Sequence, residues 1–271
     1  MIVTIAENCQ GEMCMRKSFF SLVANERFQV GCTGQTVYVL DPAGNELAKF
    51  KDVAYAYYPA LHPNGDIAAV YSNIGVMAVY SLSELRLITK FRVSAVKDTQ
   101  TDRIPCFSAD GKYLYHIEGR KGDALNSRLS VYSTADYRPV SRLFEQGQRT
   151  VFTCIETDQN GTVFLLGYFR KEDRNEHFVA KLIGQALGEV RPLDENVYDF
   201  YLGAVKLKQQ GFTEQSYKWS VFSFYPKTKA ELERSLGHPV DMGPLNRAYS
   251  LDDTRRLTPS LAWCWENGKA T

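Results

Sequence analysis

The feature that most constrains this chain is a short corner that recurs at near-regular spacing. Phe107 to Tyr115 reads FSADGKYLY: an apolar lead, a polar Ser-Ala-Asp-Gly corner, then apolar and polar residues in alternation. Such a corner joins two antiparallel strands, and its glycine supplies the positive φ that a tight turn demands. Related corners stand at His62-Pro63-Asn64-Gly65, Asp158-Gln159-Asn160-Gly161 and Leu251-Asp252-Asp253-Thr254, with a degenerate copy at Val23-Ala24-Asn25-Glu26. Gly65 and Gly111 lie 46 residues apart, and Gly111 and Gly161 lie 50 apart. Gly161 and Asp253 are separated by 92, two such steps, which predicts a hidden corner near position 207, within Lys206 to Gln210 ahead of Gly211. The first step, Glu26 to Gly65, is shorter at 39.

A second pattern comes after each corner. Val37-Tyr38-Val39-Leu40 leads to Glu46 to Phe50, Ala78-Val79-Tyr80-Ser81 leads to Arg86 to Phe91, and Ser130-Val131-Tyr132-Ser133 leads to Pro139 to Phe144. Each is a β-branched and aromatic run ending in a turn and then an outer strand. Only Thr228 to Leu236, closed by Gly237 and Pro239, carries a helical signal, and it reads as a helical turn in a loop or as an irregular outer strand. A four-stranded unit of about 45 residues cannot bury both faces alone, so such units must stack around an axis. These units resemble the blades of WD-repeat-like and YVTN-type β-propellers, closely over about residues 22–147 and more faintly beyond. The Gly-His and Trp-Asp signatures of true WD repeats are absent, which marks a divergent member.

The expectation is therefore an all-β chain forming one six-bladed β-propeller over residues 1–271. Its blades fall at about 20–51, 53–97, 103–147, 149–195, 197–240, and 245–271 together with 1–18. The last blade is shared. The 18 residues after Asp253 and the 26 up to Glu26 amount to one further step of 44. Ala262-Trp263-Cys264-Trp265 is expected to end its second strand, with Ile2 to Ile5 and Met13 to Met15 as its third and fourth. Seven blades, the alternative, would need steps of about 39, which only one interval matches.

Composition narrows the partners. Lys plus Arg number 32 against 31 Asp plus Glu, so no overall basic surface for nucleic acid is expected. No apolar run is long enough to cross a membrane, and the first twenty residues, interrupted by Glu7 and Glu12, do not read as a secretory signal. The six cysteines include no C-x-x-C pair, which suits free, mostly buried thiols in a reducing cytoplasm. No nucleophile elbow, zinc-protease helix or phosphate loop occurs, and the Asp110-Gly111-Lys112 and Asn64-Gly65-Asp66 turns lack the ligand spacing of a calcium loop. No catalytic residues, cofactor or metal are assigned.

Geometry directs attention to the links between blades, which lie on one face beside the channel mouth. Those links carry Lys17, Asp52, Asp102 with Arg103, Arg149, Asp199 and Arg247. Together they predict a mouth ring, net basic with a few acids, suited to an acidic peptide or a small anion. Two aromatic groups, Tyr55-Tyr57-Tyr58 and Tyr198-Phe200-Tyr201, are placed on the strands entering blades two and five, mostly as packing between blades. The expected role is a non-enzymatic, cytoplasmic protein- or peptide-binding scaffold, an expectation that rests on fold analogy. The alternatives are a metal-dependent hydrolase or lactonase using Asp52, Asp102 and Asp199, or a sugar- or small-anion-binding module.

Overall fold

The computed structural model describes residues 3–5, 17–94, 105–120, 123–144, 149–158, 160–195, 197–198, 201 and 260–268. The corners form as their residue types dictate. Gly111 N donates to Ser108 O at 2.9 Å, with Gly111 at φ +71°. The Ser108 hydroxyl donates to Asp110 Oδ1 (2.7 Å) and accepts from Tyr113 N (3.0 Å). Asp110 Oδ1 also accepts from Lys112 N (3.1 Å). The same bond closes Gly65 on His62 O (2.9 Å) and Gly161 on Asp158 O (3.0 Å). In the degenerate corner Asn25 Oδ1 takes over, accepting from Arg27 N and Phe28 N, both at 2.8 Å.

A short antiparallel pair opens the chain, β1 (Val3–Ile5) with β2 (Lys17–Phe19), Val3 facing Phe19. Four antiparallel four-stranded sheets come next, each a simple meander. Blade one holds β3 (Ser21–Ala24), β4 (Gln29–Cys32), β5 (Val37–Leu40) and β6 (Glu46–Phe50). Blade two holds β7 (Ala56–Leu61), β8 (Ile67–Ser72), β9 (Val76–Ser81) and β10 (Arg86–Arg92). Blade three holds β11 (Cys106–Phe107), β12 (Tyr113–Arg120), β13 (Asp123–Ser133) and β14 (Pro139–Leu143). Blade four holds β15 (Thr150–Thr157), β16 (Val163–Arg170), β17 (Asn175–Ile183) and β18 (Ala186–Pro192). Among the described residues a helix, α1 (Leu261–Asn267), lies in the C-terminal part of the chain.

Because successive strand residues point to opposite faces, each inner strand feeds two cores. In the KYLY segment Leu114 packs toward blade two with Tyr71, Met77 and Val79, while Tyr115 packs toward blade four with Phe152 and Phe178. Val30, Val39, Val70 and Tyr80 form the equivalent layer between blades one and two. The fourth strands alternate exposed and half-buried residues, as edges facing solvent do.

The corners also touch one another. Asn25 Nδ2 donates to Gly65 O (3.0 Å), and His62 Nε2 donates to Gly111 O (2.9 Å) while His62 Nδ1 accepts from Asn64 N (3.1 Å). A Cβ on Gly111 would overlap the His62 ring, and one on Gly161 would overlap Ala109 Cβ. Gly111→Ala is therefore expected to cost about 2–3 kcal/mol, combining left-handed strain with loss of the His62 bond. Urea unfolding checks this, and a cost below ~0.5 kcal/mol would mean that the corner belt does not stabilise the stack.

Beyond blade four the structure corrects the sequence reading. Ala262 to Trp265 lie in α1 rather than in a closing strand, and residues 195, 197–198 and 201 are helical, so Tyr198 and Tyr201 do not lie on a strand entering a fifth blade. Ser260 Oγ caps α1 by accepting from Trp263 N (3.1 Å). The face of α1 made by Leu261, Cys264 and Trp265 packs with Val197, Tyr198 and Tyr201 on Cys154, Leu166 and Val179. These helical segments cover the face where a further blade would stack. Glu156 ties them down, accepting from the Tyr201 hydroxyl (2.5 Å) and Leu261 N (2.8 Å). Among the described residues the four blades stack in series and no ring closes. Of the strands predicted for a shared terminal blade, the described residues contain β1, which pairs with β2. Met13 to Met15 and the predicted corners near 207 and 253 lie outside the described residues.

Candidate binding face

In a four-stranded meander the turn between the second and third strands emerges at the same end as the links to neighbouring blades. This end, the link face, is where the mouth ring was expected. Asp52 lies in the link from blade one to blade two and is exposed. Arg149 precedes β15, is exposed, and its carbonyl accepts from Arg170 N (2.7 Å). Lys17 sits in β2, with its backbone opposite Ile5. Asp102, Arg103, Asp199 and Arg247 lie outside the described residues.

Two features of this face emerge instead. The first is aromatic. Tyr58 turns inward and stacks on Tyr71 (centroids 6.1 Å apart), but Tyr57 packs edge-on against Phe20 (5.1 Å) at the surface. Beside them Tyr55 is 50% exposed and Ile74, in the turn between β8 and β9, is 48% exposed. Tyr55 holds φ +56°, a left-handed conformation uncommon for an aromatic residue, and its carbonyl accepts from Asn73 N (3.0 Å). The backbone that presents this ring outward is thus held by the neighbouring turn. The tyrosine cluster was visible in the sequence; Ile74, and the φ that exposes Tyr55, were not.

The second feature is a cleft of about 590 Å³ at the link end of blade four. Phe169, Val190 and Pro192 give it apolar walls, and His177, Asp194 and Glu195 give it polar ones. Leu193 N donates to His177 O (2.9 Å) and Asp194 N to Gly268 O (3.2 Å), which fixes the link against β17 and the end of α1. The His177 ring packs against Tyr168 (5.6 Å) and Tyr198 (4.1 Å). Burial holds its pKa below the ordinary imidazole value, with nearby Glu195 and Asp194 opposing that shift in part, so the ring is neutral at pH 7. Glu176, also on the wall, is held by Lys171 (3.3 Å) and Arg174 (3.0 Å), which keep its carboxyl below the usual range.

A third arrangement is structural. Glu118 and Arg128 face each other across β12 and β13, 1% and 6% exposed, with Arg128 Nη2 on Glu118 Oε2 at 2.9 Å. The Tyr132 hydroxyl also donates to Glu118, and Arg128 Nη2 reaches Ser94 Oγ (3.1 Å) just beyond β10. Burial and the Glu118 carboxylate both push the Tyr132 pKa up. This group joins blades two and three next to the link.

The four described cysteines, Cys32, Cys106, Cys154 and Cys264, are buried and none is in a disulfide, and burial pushes the Cys106 thiol up to about 12 and those of Cys32 and Cys264 up as well. Those three thiols are therefore not nucleophiles at neutral pH. Among the described residues no group of three His, Cys, Asp or Glu side chains is placed to hold a metal ion, and no helix is long and apolar enough to cross a membrane.

Serial four-stranded meanders packed face to face define an all-β fold of β-propeller type. No protein-family model and no curated protein matches the chain. Solved structures do resemble it. Hydrazine synthase of Kuenenia stuttgartiensis is 17% identical, with a TM-score of 0.53 over 68% of this chain and 56% of that one. The WD40 domain of Toxoplasma gondii coronin is 14% identical, with a TM-score of 0.49 over 65% and 47%. Dihydro-heme d1 dehydrogenase NirN, in complex with DHE, is 15% identical, with a TM-score of 0.43 over 62% and 44%. The chain spans about half the length of these structures. At such identities the likeness concerns the fold alone.

Proposed function

We propose that this protein is a non-enzymatic β-propeller that binds a protein or peptide across its link face, within a reducing cytoplasm. The observation that carries this reading is the exposed group Phe20, Tyr55 and Ile74 with half-buried Tyr57 packed on Phe20, presented by a backbone held in a left-handed conformation at Tyr55. Tyrosine offers large contact area at low entropic cost and is favoured where interfaces concentrate their energy. Strain retained at an exposed residue points the same way. Lys17, Asp52, Asp102, Arg103, Arg149, Asp199 and Arg247 form the polar surround in this reading, where rim charges steer association more than they add affinity. The buried, unbridged cysteines support the reducing compartment.

Peptides selected from a displayed library against the intact chain test the reading. Their binding should fall about tenfold or more in a Tyr55→Ser, Ile74→Ser double variant whose melting temperature stays within a few degrees of the parent. Undiminished binding by that variant would remove the aromatic group from the site.

A further inference from the structure

The blade-four cleft carries a chemistry distinct from the aromatic group. None of its ten lining residues is lysine or arginine, while Glu176, Asp194 and Glu195 are acidic. Glu176 is already engaged by Lys171 and Arg174 and Asp194 has interactions of its own, which leaves Glu195, exposed at the rim, as the carboxylate offered to a ligand. The second observation is independent of charge. His177 is only 9% exposed, lines the cleft, and neither ring nitrogen forms a hydrogen bond among the described residues. Tyr168 and Tyr198, themselves 6.1 Å apart, pack against adjacent sides of the ring. The ring nitrogens are not among the fully buried side-chain atoms that lack a partner, so they are open to the cleft, where a ligand can bond them.

The ligand is specified by what the walls lack. A neutral imidazole offers one acceptor and one donor nitrogen, while the carboxylates offer only acceptors and negative charge with no lysine or arginine in the lining to offset it, so a cationic donor is the best complement. Phe169, Val190 and Pro192 line the way in, which suits a long aliphatic stem lying on apolar surface behind a charged head. A free small amine would leave much of 590 Å³ unfilled, whereas a side chain entering with its backbone would occupy it. We infer that the cleft receives a lysine or arginine side chain from a peptide docked across the link face, its stem on Phe169 and Pro192 and its head between His177 and Glu195. This rests on the reading that the link face binds peptide, and it names the residue class that such a peptide must carry.

The test uses the intact chain with carbon-13-labelled histidine, the His177 signal being assigned by its loss in His177→Phe. Blocked glycine-rich peptides carrying one lysine, arginine, norleucine or glutamate are titrated in, with butylamine as the free-amine arm. The expected result is a saturable shift of the His177 signal with the lysine or arginine peptide and none with norleucine or glutamate. Glu195→Gln should weaken that binding about fivefold or more, and butylamine should bind more weakly than either basic peptide. Equal binding of norleucine would overturn the charge argument, and butylamine binding as tightly as the peptides would make the occupant a small amine. A peptide that perturbs backbone signals around Tyr55 and Ile74 but not His177 would overturn this inference while leaving the proposed function standing. No shift anywhere with any peptide would count against both.

Discussion

Arg128→Leu is expected to destabilise the protein by about 3–5 kcal/mol, because it leaves the Glu118 carboxylate buried without its counter-charge. Glu118 is 1% exposed, so it cannot recover water without opening the contact between blades two and three. The Tyr132 hydroxyl still donates to it, but a neutral donor replaces only part of what a guanidinium supplies. The double variant Glu118→Leu, Arg128→Leu should regain most of the loss, since removing both charges removes both desolvation costs. Urea unfolding of the two single variants and the double one measures the coupling. A single-variant cost below ~1 kcal/mol would mean that the pair is hydrated in solution.

Trp265→Ala is expected to cost about 3–5 kcal/mol, in the range of large aromatic truncations in cores. The Arg191 guanidinium (3.9 Å) and the Lys181 ammonium (4.4 Å) both approach the Trp265 ring, and Phe164 packs beside it (5.8 Å). Arg191 Nη1 also donates to Trp265 O (3.3 Å). Removing the indole detaches α1 from blade four and uncovers part of the layer around Leu166 and Val179. An apolar dye should therefore bind the variant before global unfolding, because a large exposed apolar patch results. Trp265→Phe should lose less than half as much, as it keeps an aromatic face for both cations. An alanine variant as stable as the parent, with no dye binding, would show that α1 does not seal this face.

The stack of blades was readable because its signals are local. Ser108, Asp110 and Gly111 build a turn from their own hydrogen bonds, and the alternation in Lys112 to Tyr115 sends Leu114 and Tyr115 to opposite cores without reference to any distant residue. The chain after blade four departs from the strand pattern expected of it because its local signal is ambiguous. Ala262-Trp263-Cys264-Trp265 alternates in size as a strand would, yet Leu261, Cys264 and Trp265 also fall on one face of a helix. So short a segment satisfies both periods, and the choice is made by the surface it meets. There the exposed face of blade four, the cap at Ser260 and the Glu156 acceptor at Leu261 N favour the helix.

The candidate site divides along the same line. The tyrosines at 55, 57 and 58 stood out by composition, but which of them faces solvent depends on the φ of Tyr55 and on the turn that fixes it. The cleft joins Phe169, His177, Val190 and Glu195, which belong to three different strands and a link. No spacing in the sequence announces a site assembled that way.

By itself the sequence determined the repeating unit: the corners, the strand order within a blade, and the alternation that makes one blade stack on the next. All three arise from turn chemistry and a two-residue period, both set by neighbours along the chain. Only the tertiary structure decided how the stack ends, which charges are buried together, and where a ligand could enter. Those outcomes depend on surfaces that exist only once the blades have packed: Trp265 meets Arg191 from 74 positions away, Arg128 reaches Ser94 of the neighbouring blade, and His177 meets Tyr198 from the segment beyond blade four, contacts that no local pattern specifies.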